Sequence, residues 1–215
     1  MDTPSNPGHP GSPALLRPAL SRALLLLVLG VLAALLLTLI DRATRAQVQR
    51  NEQAWIAERL QRLLAGQHYD NDLLADRIVI TAPDLLGTPR AVPIYRARLA
   101  GEPKAVVMQT IAPDGYRGPL EILVAIAVDG TLLGVQVIRH QETPGLGDGF
   151  ERDPRWLRSF AGRSLLSPRQ QRWSVRQDGG DFDAFTGATI TPRAIVKAVR
   201  RSLEYYRANQ HRLFD

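Results

Sequence analysis

The apolar positions fall into three regimes along the chain. Ala23 to Ile40 is an unbroken run of 18 residues without a charge, bracketed by Arg22 and Asp41. As a helix it measures about 27 Å, close to the roughly 30 Å of a bilayer's hydrocarbon core. A secretory signal has a shorter apolar core and a small-residue cleavage site. Here the run is longer, and Thr44-Arg45-Ala46 is a poor cleavage site. A buried soluble helix is rarely apolar on every face. The expectation is an uncleaved single-pass anchor over 23–40, with residues 1–22, rich in Pro, Gly and Ser, as a disordered tail.

The second regime, 41–67, holds strong helix formers, with no Gly or Pro before Gly66, and a stripe of Trp55, Leu60, Leu63 and Leu64. It predicts a juxtamembrane helix. From Arg77 the texture becomes β-rich. Apolar runs at Ile78–Ile80, Ile94–Leu99, Ala105–Ile111, Glu121–Val128 and Leu132–Ile138 predict strands, with Ala112-Pro113-Asp114-Gly115 as a turn and Asp129-Gly130 as a two-residue hairpin loop. Pro154–Ala161 predicts a short helix, Gln171–Val175 a further strand, and Pro192–Asn209 the last helix. Strands before helices, with no regular βαβ alternation, give an α+β domain over 68–215 with a largely antiparallel sheet and flanking helices.

Composition narrows the chemistry. The 215 residues contain no cysteine, which excludes disulfides, thiolate metal sites, iron–sulfur clusters and thiol nucleophiles. The net charge of +6 resides in 151–215, where thirteen Lys and Arg face seven Asp and Glu. The arginines are scattered and no recognition module is legible, so nucleic acid is not an expected partner; a solvated face explains the excess. Neither the dinucleotide nor the P-loop fingerprint is present, and no nucleophile-elbow pattern supports a hydrolase.

Two stretches carry candidate chemistry. In Asp183-Ala184-Phe185-Thr186-Gly187-Ala188-Thr189-Ile190-Thr191-Pro192, Thr191 stands where an N-cap belongs and Pro192 at the first helical position. Ile195, Val199, Leu203 and Tyr206 continue at helical spacing. Thr186, Gly187 and Thr189 therefore lie at a helix N-terminus, which favours an anion. An ordinary capped helix after a glycine turn accounts for the same residues. The second stretch, His140-Gln141-Glu142-Thr143-Pro144-Gly145-Leu146-Gly147-Asp148-Gly149, makes a tight loop after a strand, with amides available to a flat ligand or an anion. His140 and Glu142 read either as a solvent-facing pair or as an acid/base pair; no second cluster supports a metal site.

These residues resemble the G-subunit family of the Rnf (Rsx) electron transport complex, relatives of the C subunit of the sodium-pumping NADH:quinone reductase. The resemblance is carried by the anchor, by Ala112 to Tyr116 with Gly118, by His140 to Asp148, and by Asp178-Gly179-Gly180-Asp181-Phe182-Asp183 leading into Thr186–Pro192. The last run is similar to that family's flavinylation signal, Asp-x-x-Ser/Thr-Gly-Ala-Thr. The resemblance implies FMN, moved from FAD by a flavin transferase onto the hydroxyl of Thr189 through a phosphoester. Asp183, Thr186, Gly187 and Ala188 would be the rest of the signal, with Thr191 beside it. The loop of Glu142, Thr143, Gly145, Leu146 and Gly147 would pack on the isoalloxazine, Leu146 as an apolar contact and the amides of Gly145 and Gly147 tuning its electron affinity.

The resemblance also implies other complex subunits and membrane lipid as partners. It implies an electron-transfer subunit of a membrane translocase rather than an enzyme alone, and an inner-membrane location with the C-terminal domain in the periplasm. Arg42, Arg45 and Arg50 against Arg17 and Arg22 lean slightly the other way, but long domains cross largely regardless of charge. The rival readings are a non-redox scaffolding module with the same anchor, and a stand-alone flavin reductase of the same fold.

Overall fold

The computed structural model describes residues 16–214. The chain divides into two units, 1–53 and 54–215. Helix α1 spans Leu16–Leu63. It runs the anchor on into the juxtamembrane helix, and it begins inside the stretch read as tail, whose first 15 residues lie outside the described ones. Pro18 does not prevent this, because a proline in the first turn gives up an N–H that has no helical partner. An 18-residue window of α1 has a mean hydropathy of 3.1, and none of that window is buried within the protein, so this helix is long and apolar enough to cross a membrane.

The second unit is built on a five-stranded sheet in the order β1-β2-β3-β4-β5, antiparallel throughout. The strands are β1 Arg77–Ile80, β2 Val92–Leu99, β3 Glu102–Ala112, β4 Leu120–Ala127 and β5 Leu132–Arg139. A short α2, Pro83–Leu86, joins the first two. The β4–β5 hairpin does sit at Asp129-Gly130, but its loop has three residues. Ala127 N–H donates to Thr131 O at 2.8 Å, Gly130 N–H donates to Ala127 O at 2.9 Å, and Gly130 takes φ +85°. A type I turn followed by a left-handed glycine needs that extra residue.

Burial in β3 and β4 is near-continuous rather than alternating, because both faces of the sheet are covered. One face carries Ile94, Val106, Met108, Ile122, Val124 and Ile126 and packs under α5, Ile190–Leu213. The other carries Tyr95, Ala97, Ala105, Val107, Leu123 and Ala125 and is covered by Leu60 and Leu64 near the end of α1, with Leu73. Leu60, Leu63 and Leu64 of the stripe read from the sequence thus find their partner in the sheet, while Trp55 stays exposed beneath the guanidinium of Arg59.

Between β5 and α5 the chain forms α3, Gly149–Arg152, and α4, Pro154–Arg158, separated by Asp153, whose carboxylate caps α4 through Arg155 N–H at 3.1 Å. The strand expected at Gln171–Val175 is not formed. Gln170–Arg172 is a 3-10 turn, and Val175 makes only a single bridge to Phe182. Trp173 and Val175 are buried anchors of a loop, and their alternation reflects two insertions into the core rather than sheet pairing.

Tyr206 of α5 donates to Val128 O at 3.0 Å, and burial, aided by Asp129, pushes its phenol up to about 12. The folded state therefore holds this proton more tightly than the unfolded chain does. The associated stability is fully present below pH 10 and is lost as pH rises from about 10 towards 12. Denaturant titrations across that window are expected to show this loss, with Tyr206→Phe giving a flatter alkaline limb. An unchanged limb would remove Tyr206 as its source.

Candidate functional site

Three segments meet where the N-terminus of α5 approaches the loops that precede β4 and follow β5. The first turn of α5 has Thr189, not Thr191, as its N-cap residue, and Pro192 stands at the third helical position, two deeper than expected. It is still among the first residues of the helix, where a missing N–H costs nothing, so the shift is sterically free. The Thr189 carbonyl accepts Arg193 N–H at 3.1 Å, but its hydroxyl makes no capping hydrogen bond. Just upstream, Ala188 N–H donates to Phe185 O at 3.0 Å across Thr186-Gly187, with Gly187 at φ +76°, a conformation that favours glycine. Thr186 and Gly187 are exposed, while Ala188 and Thr189 are half-buried.

Asp183 is exposed and pairs with Arg176 at 3.1 Å. Its carbonyl accepts the indole N–H of Trp156 at 2.7 Å. Trp156 stacks edge-on against Phe160 and Phe185, and Phe160 lies parallel to Phe182 at 4.7 Å. The 185–188 turn is thus seated on an aromatic cluster. Gly149 belongs to the same seat, since a Cβ there would come within 2.5 Å of the Phe185 ring.

The sequence places Glu142 at a surface loop, and the structure corrects this. Glu142 is 5% exposed, and its Oε2 accepts the hydroxyl of Thr191 at 2.9 Å, itself fully buried. Oε1 accepts Arg117 N–H at 3.3 Å. The solvent-facing pair with His140 is likewise replaced. His140 Nδ1 accepts Glu142 N–H at 3.2 Å, and Nε2 meets Glu151 at 3.0 Å.

Of the remaining loop residues, Thr143 O accepts Leu146 N–H at 3.1 Å. Gly145, at φ +85°, donates its N–H to Asp148 at 2.9 Å, so that amide is committed within the loop rather than turned to a ligand. Gly147 is buried against Glu142, and Leu146 is 48% exposed.

Residues missed from the sequence complete the surface. Tyr116 and Ile190 are exposed apolar side chains next to Arg117 and Thr191. Arg193 forks onto Asp178 at 2.6 and 2.8 Å and holds its carboxyl below the usual range, and Lys197 pairs with Asp114. Helical spacing from Pro192 would have put Arg193 and Lys197 near the turn; their acidic partners needed the fold. A groove of about 620 Å³ beside β5 is lined by Arg59, Gln136, His140 and Leu157 and by no residue of 183–191.

Residues 115–204 match the family described as the FMN-binding domain. The chain is 44% identical to the G subunit of the ion-translocating oxidoreductase complex of Vibrio atlanticus, over 79% of this chain and 81% of that protein. The protein of the same name from Shewanella loihica is 40% identical, covering 93% and 94% of the two chains. That of Pseudomonas aeruginosa is 43% identical, covering 92% of each. Among solved structures, NqrC of Shewanella oneidensis is similar with a TM-score of 0.48 and 25% identity, covering 67% of this chain and 74% of that one.

Proposed function

The chain belongs to the family of G subunits of ion-translocating oxidoreductase complexes, with an FMN-binding domain over 115–204, and from that premise we propose a membrane-anchored flavoprotein that relays electrons through FMN joined covalently to Thr189. The observation that carries the acceptor assignment is the contrast among its three threonines. Thr191 is buried and its hydroxyl is spent on Glu142. Thr186 sits at the exposed tip of the turn. Thr189 alone combines a half-buried position at the helix N-cap with a hydroxyl free of capping duty.

The residues present fit the group. A phosphoester on Thr189 would lie at the positive end of α5, worth about 0.3–1 kcal/mol at an exposed site; Arg176 and Arg193 are paired with Asp183 and Asp178. Tyr116, Leu146 and Ile190 offer exposed apolar surface to a flat ring. Bound FMN supplies the one- and two-electron chemistry that a chain without cysteine lacks. In attachment, the Thr189 oxygen forms a bond to the flavin-side phosphorus of FAD, the pyrophosphate P–O bond breaks, AMP leaves, and the hydroxyl proton passes to the flavin transferase or water.

The donors and acceptors of electrons are neighbouring subunits of an Rnf-type complex, and lipid surrounds the apolar run 23–40 of α1. The domain from Ala54 onward stands in the periplasm, where covalent attachment keeps a small cofactor from being lost, and the apolar run 23–40 of α1 lies in the inner membrane. Intact mass of the chain made together with a flavin transferase tests the reading: the expected mass is the polypeptide plus one FMN less one water. A bare polypeptide from an active transferase overturns it.

A further inference from the structure

Glu142 is the charged side chain among the buried polar residues of the described chain; the others are Thr110, Thr191 and Ser202. Burying a carboxylate is costly unless its oxygens are satisfied, and an apolar residue of similar size is often the more stable choice. A buried carboxylate that persists with specific partners is best attested as a device that fixes register between elements.

The geometry around Glu142 has that form. Its two oxygens are divided between two segments: Oε2 takes the Thr191 hydroxyl at the start of α5, and Oε1 takes the Arg117 N–H of the loop before β4. Its own backbone belongs to the third segment, the loop after β5. Two glycines make the room. A Cβ on Gly147 would lie 2.1 Å from Oε2, and one on Gly115 would lie 2.9 Å from Oε1 and 2.2 Å from Gly118 O. The exposed apolar side chains Tyr116, Leu146 and Ile190 each neighbour, in sequence, one of these contacts.

We propose that Glu142 is the positioning residue of the flavin-attachment site. Its carboxylate clamps Thr191 and thereby fixes the first turn of α5, two residues from Thr189, against the 114–118 and 142–147 loops, while keeping the Thr191 hydroxyl from serving as a competing acceptor. This rests on the reading of Thr189 as the acceptor. It also gives Glu142 a role under the site rather than in contact with the ring.

The test uses the full chain produced with an active flavin transferase, reading covalent flavin per chain over time by fluorescence after denaturation. Glu142→Ala and Thr191→Val cut the same bond from opposite ends. Each is expected to slow loading by about tenfold or more, since misplacement on the order of 1 Å costs up to about a hundredfold in reactions set by positioning. Because they remove one shared interaction, the double variant is expected to load no more slowly than the worse single one. Glu142→Gln, which keeps an acceptor and offers Thr191 a donor, is expected to restore most of the rate. In the unloaded chain, amide exchange at 114–118 and 188–193 is expected to speed up in Glu142→Ala and Thr191→Val and to recover in Glu142→Gln.

Wild-type loading by a folded Glu142→Ala, or losses that multiply in the double variant, would overturn the clamp. If Glu142→Ala does not fold, Thr191→Val, which preserves side-chain shape, decides alone. Flavin retained in Thr189→Val would instead strike at the acceptor and leave the exchange result to judge the clamp.

Discussion

Thr189→Val is expected to abolish covalent flavin altogether. Valine matches the shape of threonine and lacks the oxygen, so the helix start survives: the structure shows no hydrogen bond from the Thr189 hydroxyl to the cap, and the Arg193 N–H is received by the backbone carbonyl, which is unchanged. Flavin fluorescence on a denaturing gel should fall to background, with stability within about 0.5 kcal/mol of the parent, since Thr189 is the N-cap residue but its side chain makes no capping bond to lose. Thr191→Val provides the contrast. It removes a hydroxyl of the same kind from the same turn, yet it should slow loading rather than end it, since that hydroxyl is held by Glu142. If fluorescence vanished in Thr191→Val and persisted in Thr189→Val, the acceptor would be the buried residue and the proposed chemistry would move by two positions.

The largest stability effect is expected at Phe160→Ala. Phe160 is fully buried, stacked on Phe182 at 4.7 Å and edge-on to Trp156 at 5.2 Å, with Trp173 at 6.4 Å. Truncating a buried phenylalanine costs about 3–5 kcal/mol, from lost transfer energy and the cavity left behind. That is a large share of the roughly 5–15 kcal/mol that holds a domain folded. The effect should reach the site, because Trp156, one face of that cavity, holds the carbonyl of Asp183. Denaturant unfolding should show the loss in midpoint. Flavin loading under native conditions should fall by more than Thr186→Ser causes at the exposed tip. A midpoint shift of under about 1 kcal/mol would mean that the aromatic cluster collapses to fill the space, as compliant sites do.

Most of the architecture was legible because its signals are local. The five strands announced themselves by apolar runs and by turn residues, and the last helix by the spacing of Ile195, Val199, Leu203 and Tyr206. The errors have physical sources. Thr189 and Thr191 are both plausible caps, and Pro192 is compatible with either because any first-turn position tolerates a missing N–H. Trp173 and Val175 mimic a strand because burial, not pairing, sets their pattern. Glu142 was read as surface because a charged residue among Gly and Pro ordinarily is. Its burial depends on Gly115 and Thr191, distant in the chain, and no local rule brings them together. The Thr-Gly-Ala-Thr turn was found through family resemblance, since its local physics alone is that of any capped helix.

The helix that carries the apolar run also supplies Leu60 and Leu64 to one face of the sheet. A water-soluble version for spectroscopy therefore cannot simply begin at the first strand. Cut after residue 67, it would lose Leu60 and Leu64 from over Tyr95, Val107 and Leu123, keep only Leu73 and its neighbours as cover, and would be expected to aggregate; cut at Ala54, it keeps its own roof.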